Sequence, residues 1–276
     1  MKRSIIAVLF FLVSLMVISC SKVDQLFNNG EPVTEQRKLD HRFIAISMYN
    51  NVNVKLVQDS HPRLELTCPK NLKDKVTTKV DSVSNTLIIK NENDYNWLRS
   101  YDYSIDLTVY YDSLRLINFA SVGDLRTSDP IKGMIEMSID TIGMSIDTTE
   151  TGIDTVWNIE TAWVHNFNLN INEGCGDIDL TFDCNVVKNN FGNGTSHVTF
   201  RGIAEYTEII IRSYGVVHAE NLNSNFVRVQ SHSTNDAYVW ARTKLTVWLY
   251  SIGNVYYKGH PKVVKECTSE GQVYRL

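Results

Sequence analysis

Three tyrosines, Tyr238, Tyr256 and Tyr274, follow one another at intervals of 18 residues, and His218 stands 20 residues before the first. Each is the third member of a short tetrad: Val216-Val217-His218-Ala219, Asp236-Ala237-Tyr238-Val239, Asn254-Val255-Tyr256-Tyr257 and Gln272-Val273-Tyr274-Arg275. Stacked on successive rungs, the four side chains would form an outer aromatic stripe. An aromatic body with a polar tip suits contact with sugar rings or with a protein partner. The same arrangement stabilises a β-face by cross-strand stacking, so a purely structural role competes with recognition.

Asp177 and Asp179 flank Ile178 and would project together from one rung, with Asp147 in the neighbouring tetrad Ser145-Ile146-Asp147-Thr148. Carboxylate oxygens in such a group are what a hard cation such as Ca²⁺ takes. A solvated polar face is the simpler reading, and no metal or other cofactor is assigned. His197 and His218 lie about one rung apart but in different tetrad positions, which turns them to different sides. Gly-x-Ser-x-Gly, His-Glu-x-x-His and P-loop patterns are absent, and no catalytic residue is assigned. Four cysteines, Cys68, Cys175, Cys184 and Cys267, form no Cys-x-x-Cys pair and have no histidine at metal-ligand spacing. They are expected as free thiols, with Cys175 to Cys184 the one bridge worth testing. The formal net charge of −4 leaves no basic excess to displace the counterions of a nucleic acid.

The amino terminus bears on the compartment. Lys2 and Arg3 precede an apolar run from Ile5 to Ile18, which closes on Val17-Ile18-Ser19-Cys20. A basic start, a short apolar run and small residues at its end describe a secretory signal over residues 1–19. The run is short for a membrane span, which needs about 20 residues. The closing cysteine resembles the lipobox of bacterial lipoproteins, so Cys20 is expected to carry the lipid that holds the chain at the outer membrane. Residues 20–40, with Asn28-Asn29-Gly30-Glu31-Pro32 and few apolar groups, read as a tether.

The stripe requires elements that repeat. Eight tetrads run from Asp124-Leu125-Arg126-Thr127 to Gln272-Val273-Tyr274-Arg275, and their second members step by 21, 32, 20, 19, 20, 18 and 18 residues. Gly123, Gly176, Ser196, Gly215, Asn235, Gly253 and Gly271 each precede a tetrad. Short strands at near-constant spacing after a turn residue predict a solenoid over residues 114–276, with two or three short strands per coil. Second residues, such as Leu125, Ile146, Ile178 and Val198, should face inward, and third residues outward. The long step marks an insertion near residues 149–163, read as an extra hairpin or bulging loop. Residues 41–113 also alternate with period two, as in Val52, Val54 and Leu56, and form a β-rich region. Within it, residues 91–102, with Trp97 and Tyr101, read as a surface loop.

The lipobox, the Phe43-to-Leu56 opening, the strand at Leu87-Ile88-Ile89 and the ending Gly253-Asn254-Val255-Tyr256-Tyr257-Lys258-Gly259-His260-Pro261 together resemble one family. It is described as putative auto-transporter adhesin, head GIN domain, and comprises Bacteroides-type envelope lipoproteins of unknown function. The resemblance covers residues 40–276. It implies an all-β, right-handed single-stranded β-helix of pectate-lyase-like architecture on the cell envelope, and it carries over no catalytic residues.

The function expected from these features is non-catalytic: an envelope lipoprotein presenting repetitive faces to a glycan or a protein. Two other classes compete. One is a polysaccharide-active enzyme using the carboxylates on the repeat face. The other is a structural envelope protein that assembles through the uncapped end of the repeat at Leu276.

Overall fold

The computed structural model describes residues 28–93, 103–138, 144–149, 152–157 and 162–276. The signal segment with Cys20, the first part of the tether, Trp97 and Tyr101, and the side chain of Asp147 lie outside the described residues.

Alternating β-branched and polar residues make strands almost throughout. The first nine are β1 (Pro32–Arg37), β2 (Ala45–Asn50), β3 (Asn53–Gln58), β4 (Arg63–Pro69), β5 (Val76–Asp81), β6 (Thr86–Asn91), β7 (Asp106–Tyr111), β8 (Leu116–Ser121) and β9 (Leu125–Thr127). β10 (Met134–Ser138) precedes a hairpin of β11 (Met144–Thr149) and β12 (Gly152–Trp157), which among the described residues pair only with each other. Long strands follow: β13 (Ala162–Gly174), β14 (Ile178–Phe191), β15 (Val198–Ile211), β16 (Val217–Ser231) and β17 (Ala237–Leu249). β18 (Val255–Lys258), β19 (Lys262–Cys267) and β20 (Val273–Arg275) end the chain. Among the described residues the one helical element is a 3₁₀ turn at Lys73–Lys75.

The expected right-handed single-stranded β-helix is overturned. All strands except the hairpin belong to one mixed, 18-stranded sheet that curls into a nearly closed barrel shape. Among the described residues four pairings within this sheet are antiparallel, β1 with β4, β4 with β7, β5 with β6 and β10 with β13. Strand order also departs from chain order: β2 lies between β6 and β8, and β3 between β7 and β9. A single-stranded coil would instead set each rung beside its neighbours in sequence. Nor are the repeat strands short, since β14 to β17 run for 13 to 15 residues each.

Two parallel ladders share those long strands. In one, the first halves of β14, β15, β16 and β17 lead to β18 and β20 and are preceded by β9, β3 and β7. In the other, their second halves lead to β19 and are preceded by β13, β8, β2 and β6. Within the first ladder Ile178, Val198, Val217, Ala237, Val255 and Val273 stand opposite one another in turn. All but Val273 are buried. The tetrad around Ile146 is not a rung, because Leu125 pairs directly with Ile178 and Ile146 belongs to the hairpin. Residues 32–37 of the expected tether are strand β1, whose edge pairs with β4.

The space between the ladders is filled by one apolar cluster reaching from Phe43 to Val255, so strands on both sides of residue 114 share a core. Phe167, Phe182 and Phe200 continue one another through it, with ring centroids 5.3 Å apart at each step. Removing each such ring from water contributes ~1.5–3 kcal/mol.

The turn residues before the tetrads form a column where neighbouring backbones come closest. A Cβ on Gly215 would lie 2.1 Å from the Ser196 carbonyl oxygen and 2.3 Å from the Phe191 ring. Neither backbone nor buried ring can yield that distance cheaply. Gly192, at the opposite corner, has its nearest neighbour at 3.4 Å, an ordinary contact. Gly215→Ala is therefore expected to lower unfolding stability by about 2 kcal/mol, and Gly192→Ala by less than ~0.5 kcal/mol. Urea unfolding of the two variants checks this; equal losses would remove the close approach as the reason for glycine at 215.

Candidate functional site

Register builds the aromatic column. His218 pairs with Tyr238, Tyr238 with Tyr256 and Tyr256 with Tyr274 across β16, β17, β18 and β20. The buried residues just before them, Val217, Ala237 and Val255, fix which way each strand faces. Ring centroids are 4.8, 5.1 and 5.5 Å apart, at interplanar angles of 7°, 14° and 28°. The structure thus brings together all four residues singled out in the sequence.

Its geometry differs from a flat platform. Each inner ring has a ring neighbour on both faces, so the column shows solvent a row of ring edges and phenol tips. Tyr274 ends the row and is 47% exposed. At the other end Glu220 Oε1 lies 3.2 Å from His218 Nδ1 and steadies the imidazole. Partial burial in the stack, then the Asp236 carboxylate and the neighbouring phenols, pushes the Tyr256 hydroxyl pKa up, so that it stays a protonated donor.

The first tetrad residues explain how the rungs stay aligned beneath the rings. Asp236 Oδ1 accepts the backbone N–H of Asn254 at 2.8 Å, and Asn254 Oδ1 accepts that of Gln272 at 3.0 Å. On earlier rungs Asn53 Oδ1 accepts from Asp124 N, and Asp124 Oδ1 from Asp177 N, both at 3.0 Å. Side chains here act as links between strand starts.

Of the three aspartates considered for Ca²⁺, Asp147 has its side chain outside the described residues, and Asp179 stands between Arg126 and Thr199. The Asp179 carboxylate is ion-paired with Arg201, and Asp177 Oδ1 lies 3.9 Å from His197 Nδ1. Among the described residues no three potential ligands converge.

All four described cysteines are free thiols, and no Cys175–Cys184 bridge is present. Cys175 is exposed, whereas Cys68 and Cys184 are buried, and Cys184 Sγ donates to the Ile131 carbonyl at 2.9 Å. Burial pushes Cys68 up to about 11 and Cys184 up to about 12.

Sequence reasoning missed two features. His232 stacks on Tyr250 at 4.5 Å, and the Arg228 guanidinium lies 4.8 Å over the Trp248 ring, on the outer side of the other ladder. A polar cleft also opens where the long strands bend, around Asn185, Glu205 and Asn225. Steps of 18 and 20 residues, the same as in the stripe, connect these positions and were the available signal.

The fold and the column define an all-β protein, a sheet that repeats one kind of side chain at rung spacing on its outside. The chain belongs to the family described as putative auto-transporter adhesin, head GIN domain, whose model matches residues 42–261. That description points to a binding or adhesion role at the cell envelope or surface. The structure is similar to that of a putative adhesin from Bacteroides fragilis NCTC 9343, with 17% identity, a TM-score of 0.70, and coverage of 89% of this chain and 97% of that one. It is also similar to a putative lipid binding protein from Parabacteroides distasonis ATCC 8503, at 15% identity and a TM-score of 0.56, covering 90% and 98%. A putative adhesin from Parabacteroides merdae ATCC 43184 gives 15% identity and a TM-score of 0.54, with the same coverage. At these identities the likeness is one of fold. No curated protein matches the chain.

The buried thiols set an alkaline limit to stability. Unfolded, they would ionise near pH 9; folded, they hold their protons to about 11 and about 12. The folded state therefore binds more protons above pH 9, and stability falls as pH rises from there. Urea midpoints are expected to drop between about pH 8 and about pH 10, less so in Cys184→Ala. In the folded chain at neutral pH, iodoacetamide should label Cys175 well before Cys68 or Cys184, read by mass spectrometry.

Proposed function

We propose that this chain is a non-catalytic binding module of the bacterial cell envelope, held at the outer membrane as a lipoprotein through Cys20, and that it contacts a glycan through the column His218, Tyr238, Tyr256 and Tyr274. The observation that carries the reading is the column itself: four in-register rings, one imidazole and three phenols, with their edges outward. A phenol both donates and accepts hydrogen bonds. A row of phenols at regular spacing therefore suits a polymer whose hydroxyls also recur regularly. Each contact is weak, and a long repetitive ligand engages several at once.

The anchor is supported by the basic start, the short apolar run and its closing Cys20. The family description supports adhesion over catalysis. Of the carboxylates that an enzyme of this kind would need, that of Asp179 is ion-paired with Arg201, which weakens the competing reading.

The test is a glycan array probed with the full chain, with and without Ca²⁺, alongside Tyr256→Ala. Binding to long repetitive glycans is expected, independent of Ca²⁺ and weaker by about tenfold in the variant. Unchanged binding in a folded Tyr256→Ala would make the column a stabilising stack only. Binding that requires Ca²⁺, with cleavage of the bound glycan, would favour the enzyme.

A further inference from the structure

β14 and β15 pass from one ladder to the other in constant register, but β16 slips against both its neighbours on the way. Ala219 pairs with Val239 and Asn223 with Trp240, so Glu220, Asn221 and Leu222 of β16 have no counterpart on β17. One step further, Arg242 and Thr243 of β17 face the single residue Asn225, because Ser224 pairs with Ala241 and Phe226 with Lys244. A smaller slip between β15 and β16 follows Thr199. Bulges of this kind bend a sheet and re-aim its side chains. Here they open a cleft of about 440 Å³ on the outer face of the bend.

The cleft is polar and built. Its side chains come from β13 to β17, with Lys132 added beside the bridge that ties Ile131 to Phe182. The His165 backbone N–H donates to Asn185 Oδ1 at 2.9 Å, which leaves the Asn185 amide donors unengaged by that bond. Asn225 Nδ2 donates to Glu205 Oε2 at 2.6 Å, leaving Asn225 Oδ1 and the second Glu205 oxygen as acceptors. Two atoms of lining residues, His165 Nδ1 and Asn223 Oδ1, have no hydrogen-bond partner and are shut off from solvent, so they back the cleft wall without facing it.

We propose that this cleft is a saccharide-binding site that takes a short, uncharged oligosaccharide. The inference shares its ligand class with the proposed function and so rests on that reading, but it concerns a different site. Both signs of charge line the cleft, Lys132 and Arg242 against Asp183 and Glu205, which disfavours a polyanion and a polycation alike. An apolar ligand would desolvate those charges without replacing their hydrogen bonds. Sugar hydroxyls donate and accept together, matching the mixture of amide donors and carboxylate acceptors. Ile203, 56% exposed, offers an apolar patch to the carbon face of a ring. The volume is within the range of small-molecule clefts, roughly 300–1,000 Å³.

The experiment is isothermal titration of the full chain with neutral gluco-, galacto- and manno-configured di- and trisaccharides, and with uronic-acid disaccharides as the charged arm. At least one neutral saccharide is expected to bind, about tenfold more weakly to Asn223→Ala and several-fold more weakly to Arg242→Ala. Asn223 is partly buried, whereas Arg242 is exposed, so the second variant keeps the test intact if the first does not fold. Tyr256→Ala should leave these short ligands bound as before. Absence of neutral-saccharide binding, retention of it by both cleft variants, or binding of the uronic-acid disaccharides alone would overturn the proposal. If long glycans still bind and depend on Tyr256, the column survives that failure. If short saccharides bind and depend on Asn223 while Tyr256→Ala changes nothing on long ones, the column falls and the cleft stands.

Discussion

Ile178, Val198, Val217, Ala237 and Val255 reach the same interior because each strand meets the next without slip at that point. Side chains alternate along a strand, so a slip of one residue would exchange core for surface across the whole rung. The buried valines thus dictate where the next residue goes, and the next residues are His218, Tyr238 and Tyr256. The outer column is a consequence of the inner one. Its spacing is the spacing of hydrogen-bonded strands, about 4.8 Å, and follows the backbone ladder.

That dependence also explains the corners and the cleft. Where the backbone of one rung lies almost on the next, Gly215 is required, since a Cβ would strike the Ser196 carbonyl. Gly202, with φ of 103°, has the same relation to the Phe182 carbonyl at the bend of β15. Register persists through the bend between β14 and β15 but slips between β16 and its neighbours, where extra residues stand at 220–222 and at 242–243. The ladder yields a regular surface where register holds and a concave one where it slips.

Much of this was legible in the sequence, but only where the chain repeats locally. Steps of 18 to 20 residues placed Ile178 through Val273 in one column and the aromatic residues in another. The start of that column was not legible. Leu125 pairs backward with Val54 and forward with Ile178, across 71 and 53 residues, because strands of the amino-terminal region come between. No period connects such distances. The Ser-Ile-Asp-Thr run around Ile146 copies the tetrad pattern at a spacing of seven, and it supplied a rung that does not exist. Antiparallel partners such as β4 and β7 have no common spacing either, which is why a single repeating coil fitted the sequence and not the fold. The cleft was half legible: 185, 205 and 225 share the 20-residue step, but their meaning depends on bulges that only the pairing shows.

Stability and recognition draw differently on the same rings. Stacking at about 5 Å places the π-faces of Tyr238 and Tyr256 against neighbours, and such contacts are worth roughly 0.5–1.5 kcal/mol each. Faces used in that way are closed to a ligand. What remains is the edge and hydroxyl of each ring, together with the outer face of Tyr274. The column therefore cannot bind as an isolated aromatic platform does, gripping one sugar by its face. Its affinity would have to come from many modest hydrogen bonds along a repeating partner, and selectivity for one sugar over another would be low. Selectivity needs a concave place with unpartnered donors and acceptors held in fixed positions, because only there does a missing hydroxyl leave a buried group unpaired. The cleft proposed as a saccharide site has its concave polar wall partly on β16 and β17, the same strands that begin the column. On the two proposals, long contact along the rungs and discrimination at the bend would be separate properties of one sheet, the first arising where register is kept and the second where β16 slips against its neighbours.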